Sequence, residues 1–302
     1  DKERYEHKYE YCDLLITGSG PSGLASAYAA AKNGARVILA EDKPRFGGSL
    51  LTSDVNIGNQ TGVEWTEKII AELKSMPNVT VKNRSQVFGY YDHNMLVMSE
   101  RISDHLPKTQ KYLPKQRLWY IRANEVLISS GSIERPLVFG NNDTPGVMLS
   151  SAAKEYLKIY GVLVGKKPIV FTNNDSGYET AIEFKKNGVN PIILDTRSNP
   201  SSDIITEAKN LNIEIRFSYV VVAAKGYKKV KSADIAKISD DKKELFNIEN
   251  IECDCICVSG FWTPSIHLAS QSGNKSKFNE KIDAFVPDKL SLIHISEPTR
   301  PY

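Results

Sequence analysis

The sequence predicts an α/β protein built from two interleaved dinucleotide-binding-type units. Three observations carry that expectation. Asp13-Leu14-Leu15-Ile16-Thr17 is a short apolar run ending in a glycine-rich turn, the mark of a buried parallel strand. An alanine-rich stretch without a breaker follows, then a second apolar run, Arg36-Val37-Ile38-Leu39-Ala40. Strand, helix and strand within about 30 residues make a βαβ unit. The same pattern then returns at a constant offset, with Gly23 matched by Gly177, Lys32-Asn33-Gly34 by Lys186-Asn187-Gly188, and Glu41 by Asp195.

Taken in chain order, residues 1–12 mix charged and aromatic side chains without a clean period and read as a linker from something upstream. The first helix is expected over 22–32, closed by Asn33-Gly34, where glycine takes the left-handed conformation of a helix end. Residues 79–91 and 95–100 alternate like strands of a small antiparallel sheet, and 117–121 and 125–129 read as two further strands. In the second unit, strands are expected over 168–171 and 192–194 around a helix at 176–186. More strands are expected at 213–224, 228–233 and 253–259. The domain reading is a first unit over 13–145, an inserted second unit over 146–258, and a return to the first over 259–289, where the fold is truncated. The architecture is that of two Rossmann-like domains arranged as in disulfide-reductase-like flavoproteins. Residues 290–302 back-translate to a transposase-type sequencing adapter and are expected to add nothing to the fold.

Composition narrows the function classes. The 302 residues suit about two domains. Lys+Arg is 39 and Asp+Glu 36, a net charge of +3 that gives no basic footprint for nucleic acid. No apolar run reaches the ~18 residues of a membrane helix, and no signal segment opens the sequence. Four cysteines suit a reducing compartment, so a cytoplasmic protein is expected.

Gly18-Ser19-Gly20-Pro21-Ser22-Gly23 carries the strongest chemical signal. It follows a strand and opens a helix, as a dinucleotide fingerprint requires. Gly18 serves the tight turn, Gly20 the approach of a pyrophosphate, and Gly23 close packing of helix on strand. The helix start, with Pro21 and Ser22, presents N–H groups and partial positive charge to phosphates. Glu41, with Asp42 beside it, ends the second strand where a carboxylate accepts hydrogen bonds from ribose hydroxyls. Arg45, Gly48, Ser49 and Leu50 lie in a Gly-Gly segment suited to run along a cofactor, and Gly131 ends a later strand. The fingerprint serves NAD and FAD alike.

The second turn has lost its first two glycines to Thr172 and Asn174, whose side chains enter the space of a pyrophosphate. Asp195 keeps the ribose position, with Arg197 close behind. A retained fold without a nucleotide is expected there. Cys253, Cys255 and Cys257 alternate on one strand face and read as structural, since zinc and cluster sites use Cys-x-x-Cys turns. The histidines are scattered, no metal site is expected, and no nucleophile–base pair can be assembled, so no catalytic residue is assigned.

Beyond the fingerprint, residues 18–51 (GSGPSGLASAYAAAKNGARVILAEDKPRFGGSLL), 134–163 (ERPLVFGNNDTPGVMLSSAAKEYLKIYGVL), 170–181 (VFTNNDSGYETA) and 258–273 (VSGFWTPSIHLASQSG) resemble the alpha subunits of heterotetrameric sarcosine oxidases. The resemblance implies a partial alpha chain whose first turn holds NAD. It also implies FAD and FMN elsewhere in a complex with beta, gamma and delta subunits, and a tetrahydrofolate domain beyond this region. The implied reaction converts sarcosine, tetrahydrofolate and oxygen to glycine, 5,10-methylenetetrahydrofolate and peroxide. Phe261 departs from the pattern, standing where a second glycine is expected after Gly260. Related dehydrogenases of hydroxyproline, opines or glycine are the near alternatives. A free-standing flavin reductase is another, although it would need intact glycines at 172 and 174 and often a Cys-x-x-Cys. A non-catalytic NAD-binding module is the last.

Overall fold

The structure, a computed structural model, describes residues 4–107, 112–273 and 275–288. The described residues divide into two compact units, one running to 132 and resuming at 264, the other holding 133–263.

The first unit opens with β1 (Tyr5–Thr17), α1 (Pro21–Lys32) and β2 (Val37–Ala40). A short hairpin of β3 (Asn56–Ile57) and β4 (Gln60–Thr61) leads into α2 (Gly62–Ser75). Then come β5 (Val79–Lys82), β6 (Ser85–Tyr91), β7 (Met95–Arg101) and β8 (Gln116–Ile128). One six-stranded sheet takes the order β5-β2-β1-β8-β7-β6. Its β5, β2, β1 and β8 run parallel, and β6 and β7 are antiparallel. Leu24, Ala27 and Ala31 of α1 and Ile69, Ile70 and Leu73 of α2 pack with Ile16, Val37 and Leu39 on one face.

Helix α2 begins with a capping box. Thr61 Oγ1 accepts from the Glu64 N–H at 3.2 Å, and Glu64 accepts from the Thr61 N–H at 2.8 Å. The Thr-x-x-Glu spacing is a readable start signal.

In the second unit, β9 (Ser132–Glu134) precedes β10 (Val147–Leu149), α3 (Ser150–Tyr160), β11 (Pro168–Thr172), α4 (Ser176–Lys186) and β12 (Ile192–Asp195). Next are α5 (Asp203–Asn210), β13 (Glu214–Phe217), β14 (Tyr219–Lys225), β15 (Ser232–Ile238) and β16 (Leu245–Glu252). The unit closes with β17 (Cys255–Ser259) and β18 (Trp262–Pro264). A parallel sheet runs β10-β17-β11-β12-β13, an antiparallel sheet β14-β15-β16, and β9 pairs with β18. The return segment adds α6 (His267–Gln271) and the hairpin of β19 (Ser276–Asn279) and β20 (Ala284–Pro287).

Several expectations need correction. Residues 5–12 are not a linker but the first part of β1, paired with β8 from Tyr5↔Gln116 to Cys12↔Ala123. The strands over 79–101 form no separate small sheet, because β5 extends the parallel sheet beside β2 and β7 joins it through β8. The two segments at 117–121 and 125–129 are one strand, β8. The chain leaves the first unit after 132, not after 145, because 133–145 pack on the second unit. There Phe139 sits edge-on to Phe171, and Gly140 exchanges backbone hydrogen bonds with Val222 and Ala224. It returns after 263 rather than 258, since Trp262 Nε1–H donates to Ser176 Oγ at 2.8 Å. The strand expected at 228–233 runs instead over β15. Residues 290–302 lie outside the described residues.

The cysteines divide. Cys255 and Cys257 share a face of β17 with their sulfurs 3.6 Å apart, whereas Cys253 precedes the strand and packs in a different cluster, with Phe139 and Phe171. All four are buried and free. Burial, with Asp13 alongside, pushes the Cys12 thiol up to about 12, and burial beside Cys255 does the same to Cys253. Thiolate is the reactive form. Ellman's reagent at pH 8 should therefore find almost no thiol in the native protein and all four cysteines in denaturant. A denatured count two lower would reveal a disulfide.

Candidate functional site

Strands β1 and β8 end side by side, and in open α/β sheets ligands gather outside such carboxyl ends. The first turn there is shaped by close approaches. Gly18 has φ +98°, and a β-carbon on it would lie 2.3 Å from the Ser129 carbonyl oxygen. A β-carbon on Gly23 would lie 2.0 Å from the Gly18 carbonyl oxygen. Both positions are glycine for packing. Gly20 is different, since a β-carbon there meets no heavy atom within 4 Å. Helix α1 starts beside it with Pro21, no side-chain cap and no acidic residue in the first turn. The partial positive charge of the helix start thus faces open space.

Two further segments meet this turn. Gly48 has φ +53°, and a β-carbon on it would come within 2.9 Å of Gly20 Cα. It opens a single 3₁₀ turn, Gly48–Leu51. Glu41 is only 6% exposed. Its Oε2 accepts from the Ser19 N–H at 2.9 Å and the Ser19 hydroxyl at 2.5 Å, and its Oε1 from the Lys43 N–H at 2.9 Å. Burial, helped by a hydrogen bond with the Asp42 side chain, raises the Glu41 carboxyl above its ordinary range, while the Ser19 donors pull the other way.

The remaining expected residues fall into place unevenly. Pro21 and Ser22 lie in the first turn of α1, half-buried. Asp42, Arg45 and Ser49 are exposed beside it. Leu50 is buried, with its N–H spent on the Gly47 carbonyl at 3.1 Å, so its side chain supports the turn from beneath. Gly131 has φ +67° and open space around it, and its carbonyl accepts from the Ser265 N–H at 2.9 Å. Ser19 is the residue that sequence reasoning passed over, because the middle position of a Gly-x-Gly is ordinarily silent.

The residues present fit a dinucleotide. Gly20 leaves room for a pyrophosphate before an uncapped helix start, and Glu41 offers an acceptor to a ribose. The Thr17 and Ser129 hydroxyls, at the ends of β1 and β8, are buried without a hydrogen-bond partner. Elsewhere, a hollow of about 260 Å³ lined by Tyr5, Glu6, His7 and Arg117 lies at the amino end of β1, where Arg117 pairs with Glu6 at 3.0 Å. No cluster of three or more metal-ligating side chains occurs among the described residues.

The second turn is closed by its own side chains. Asn174 Oδ1 accepts from the Ser176 N–H at 2.8 Å at the start of α4, where a phosphate would bind, and its Nδ2–H donates to the Ser259 carbonyl at 3.1 Å. Thr172 fills the space beside Gly177, whose β-carbon would lie 2.7 Å from Thr172 Cβ. Asp195 is fully buried and accepts from Tyr178 Oη–H at 2.7 Å and from Arg197 through Nη2 at 2.8 Å and Nε at 3.0 Å. Its carboxylate is spent inside the protein.

Comparison with known proteins fits this picture. The profile of the pyridine nucleotide-disulphide oxidoreductase family matches residues 12–288. The sarcosine oxidase subunit alpha of Rhizobium meliloti (strain 1021) is 37% identical over 298 residues, 98% of this chain and 29% of that protein. That of Corynebacterium sp. (strain P-1) is 35% identical over 292 residues, 95% of this chain and 30% of that protein. The chain thus spans about a third of the length of these relatives. Among solved structures, L-proline dehydrogenase from P. horikoshii superposes with a TM-score of 0.67 at 19% identity, covering 97% of this chain and 51% of that one. Thioredoxin reductase from T. acidophilum does so with a TM-score of 0.65 at 17% identity, covering 88% and 82%. The fold is therefore that of the disulfide-reductase-like flavoproteins.

The glycines separate packing from binding. Gly23→Ala should lower stability by about 1–3 kcal/mol, the usual cost of overpacking. Gly20→Val should leave the melting temperature near that of the parent and abolish retention of a dinucleotide. Thermal melts and cofactor extraction on the two variants check this. Equal destabilisation by both would show that Gly20, too, is a packing residue.

Proposed function

The chain belongs to the pyridine nucleotide-disulphide oxidoreductase family, and on that premise we propose that it is the dinucleotide-binding region of a sarcosine oxidase alpha subunit. The observation that carries this reading is sequence likeness to such subunits along nearly the whole chain, at 34–37% identity. The open first turn supports it. NAD is the dinucleotide we assign to that turn, with Glu41 on the adenosine ribose. FAD uses the same features and is the alternative ligand.

When bound, the dinucleotide supplies a ring that can carry a hydride. The chain's own residues bind and orient it. Gly20 and the start of α1 receive the pyrophosphate, Gly48 and Ser49 flank it, and Glu41 accepts from the ribose. No residue of the turn is a general acid, base or nucleophile. The oxidation of sarcosine to glycine, with its methyl carbon passing to tetrahydrofolate and oxygen becoming peroxide, is assigned to the whole assembly. That assembly would contain beta, gamma and delta subunits, FAD, FMN and a tetrahydrofolate site outside this chain. Opine oxidase A subunits are more distant, at 25% identity over 63% of this chain for one from Agrobacterium tumefaciens (strain Ach5).

The complete assembly should form peroxide from sarcosine, and residues 1–289 alone should form none. Peroxide from the isolated region, or an assembly active on opines and inert to sarcosine, would refute the reading. Within the assembly, Glu41→Ala should weaken dinucleotide binding about ten- to a hundredfold, the loss of a charged hydrogen bond. Asp195→Ala should leave affinity unchanged while lowering stability by about 1–3 kcal/mol, because Arg197 and Tyr178 lose their partner. Calorimetric titration and thermal melts read both. A large loss of affinity from Asp195→Ala with Glu41→Ala silent would move the site to the second unit.

A further inference from the structure

Ser19 occupies the middle of the Gly-x-Gly turn and has no exposed surface. It touches three segments that converge on the first turn. Its N–H and hydroxyl both donate to Glu41 Oε2, at 2.9 and 2.5 Å. Its carbonyl and its Oγ both accept from the Gly47 N–H, at 3.0 and 3.2 Å. Because Oγ accepts from Gly47, its own proton is directed to Glu41. The bonds form a chain from Gly47 N–H through the Ser19 hydroxyl to the Glu41 carboxylate.

A carboxylate has about four lone-pair positions. Ser19 takes both on Oε2, and the Lys43 N–H takes one on Oε1. With Oε2 filled, a ribose hydroxyl meets Glu41 on Oε1, in exchange for the Asp42 side chain that also hydrogen-bonds this carboxyl. We propose that Ser19 is a positioning residue for the dinucleotide, fixing Glu41 so that it meets the ribose through Oε1 alone. This deepens the reading of the first turn as a dinucleotide site and rests on it.

Charge makes the role measurable. A protonated Glu41 is a poorer acceptor, so affinity should fall as pH drops through its titration. The raised carboxyl places that fall above the ordinary glutamate range, and the Ser19 donors hold it down. The Asp42 carboxyl lies beside Glu41, and the adjoining segments carry Lys43, Lys82 on β5, Arg84 and Arg101 on β7. The Lys82 carbonyl accepts from the Glu41 N–H at 2.8 Å, while the Lys82 ammonium pairs with Glu100. The Arg84 N–H donates to the Lys43 carbonyl at 3.1 Å, and Arg101 Nη2–H to the Asp42 carbonyl at 3.3 Å. None of these replaces the Ser19 hydroxyl on Oε2.

The test measures retention of NAD and of FAD by the full-length protein in its complex, by equilibrium dialysis from pH 5 to 8. Ser19→Ala should weaken binding about tenfold at pH 7 and move the acid midpoint to higher pH. Glu41→Gln should flatten the pH dependence, and adding Ser19→Ala to it should change affinity less than twofold. A midpoint unmoved by Ser19→Ala would overturn the proposal alone. So would a tenfold effect that persists beside Glu41→Gln, which would place the action of Ser19 on Gly47. A midpoint that survives in Glu41→Gln would also overturn it. If Ser19→Ala fails to fold, Ser19→Gly, which also removes the hydroxyl, is read by the same outcomes. A parent protein that retains neither dinucleotide at any pH would overturn the site reading and the proposal together.

Discussion

The Gly18 carbonyl oxygen lies where a β-carbon of residue 23 would stand, and that contact sets how closely α1 can approach the end of β1. The helix so drawn in begins just past the carboxyl end of β1, a central strand of the sheet. Gly18 can make the bend because φ +98° is open to glycine, and it must be glycine because Ser129, just past β8, passes too close for a side chain. The position of the helix start, the separation of Gly48 from Gly20, and the reach of Ser19 to Glu41 all follow from this spacing. Ala27 and Ala31 continue it along the helix, since small side chains let α1 lie near Ile16 and Leu39.

The two units share a frame and use it in opposite ways. In the first, the helix start is uncapped and faces space, and the acid at the end of the second strand is held by backbone and serine donors. In the second, the Asn174 side chain accepts from the first N–H of the helix, and Tyr178 and Arg197 consume the acid. An anion attracted to the start of α4 would have to displace a neutral amide already bonded on both sides. It would also find the carboxylate of Asp195 neutralised by a guanidinium that pairs with Asp175 as well. Thr172 and Tyr178 do for packing what a ligand would otherwise do. The second unit thus keeps the Rossmann-like frame with its turn filled by its own side chains.

Much of this was legible in the sequence, because the decisive features are local. A strand, a glycine turn and an alanine-rich helix are contiguous, and the repeat of glycine, cap and acid exposes the second unit. The failures came where pairing is distant. Tyr5 to Cys12 bear alternating side chains with both faces largely exposed, so no apolar stripe marks them, and only β8, more than a hundred residues on, makes them a strand. The unit boundary was misplaced for the same reason, since Phe139 and Gly140 are claimed by partners at 171 and 222–224. Parity along the chain puts Cys253 on one face with Cys255 and Cys257, but the strand starts only at Cys255. Ser19 was missed because its role depends on where Glu41 and Gly47 arrive in space, which spacing along the chain does not disclose.

The first turn is open at Gly20, and the second is closed by Thr172 and Asn174. The most direct measurement is a crystal or cryo-EM structure of the full-length protein in its complex, prepared with saturating NAD and FAD. A pyrophosphate at the start of α1, with a ribose hydroxyl on Glu41, and only the Asn174 amide at the start of α4, is the arrangement predicted. A dinucleotide seated at α4, with Asn174 swung aside and Asp195 released from Arg197, would contradict it.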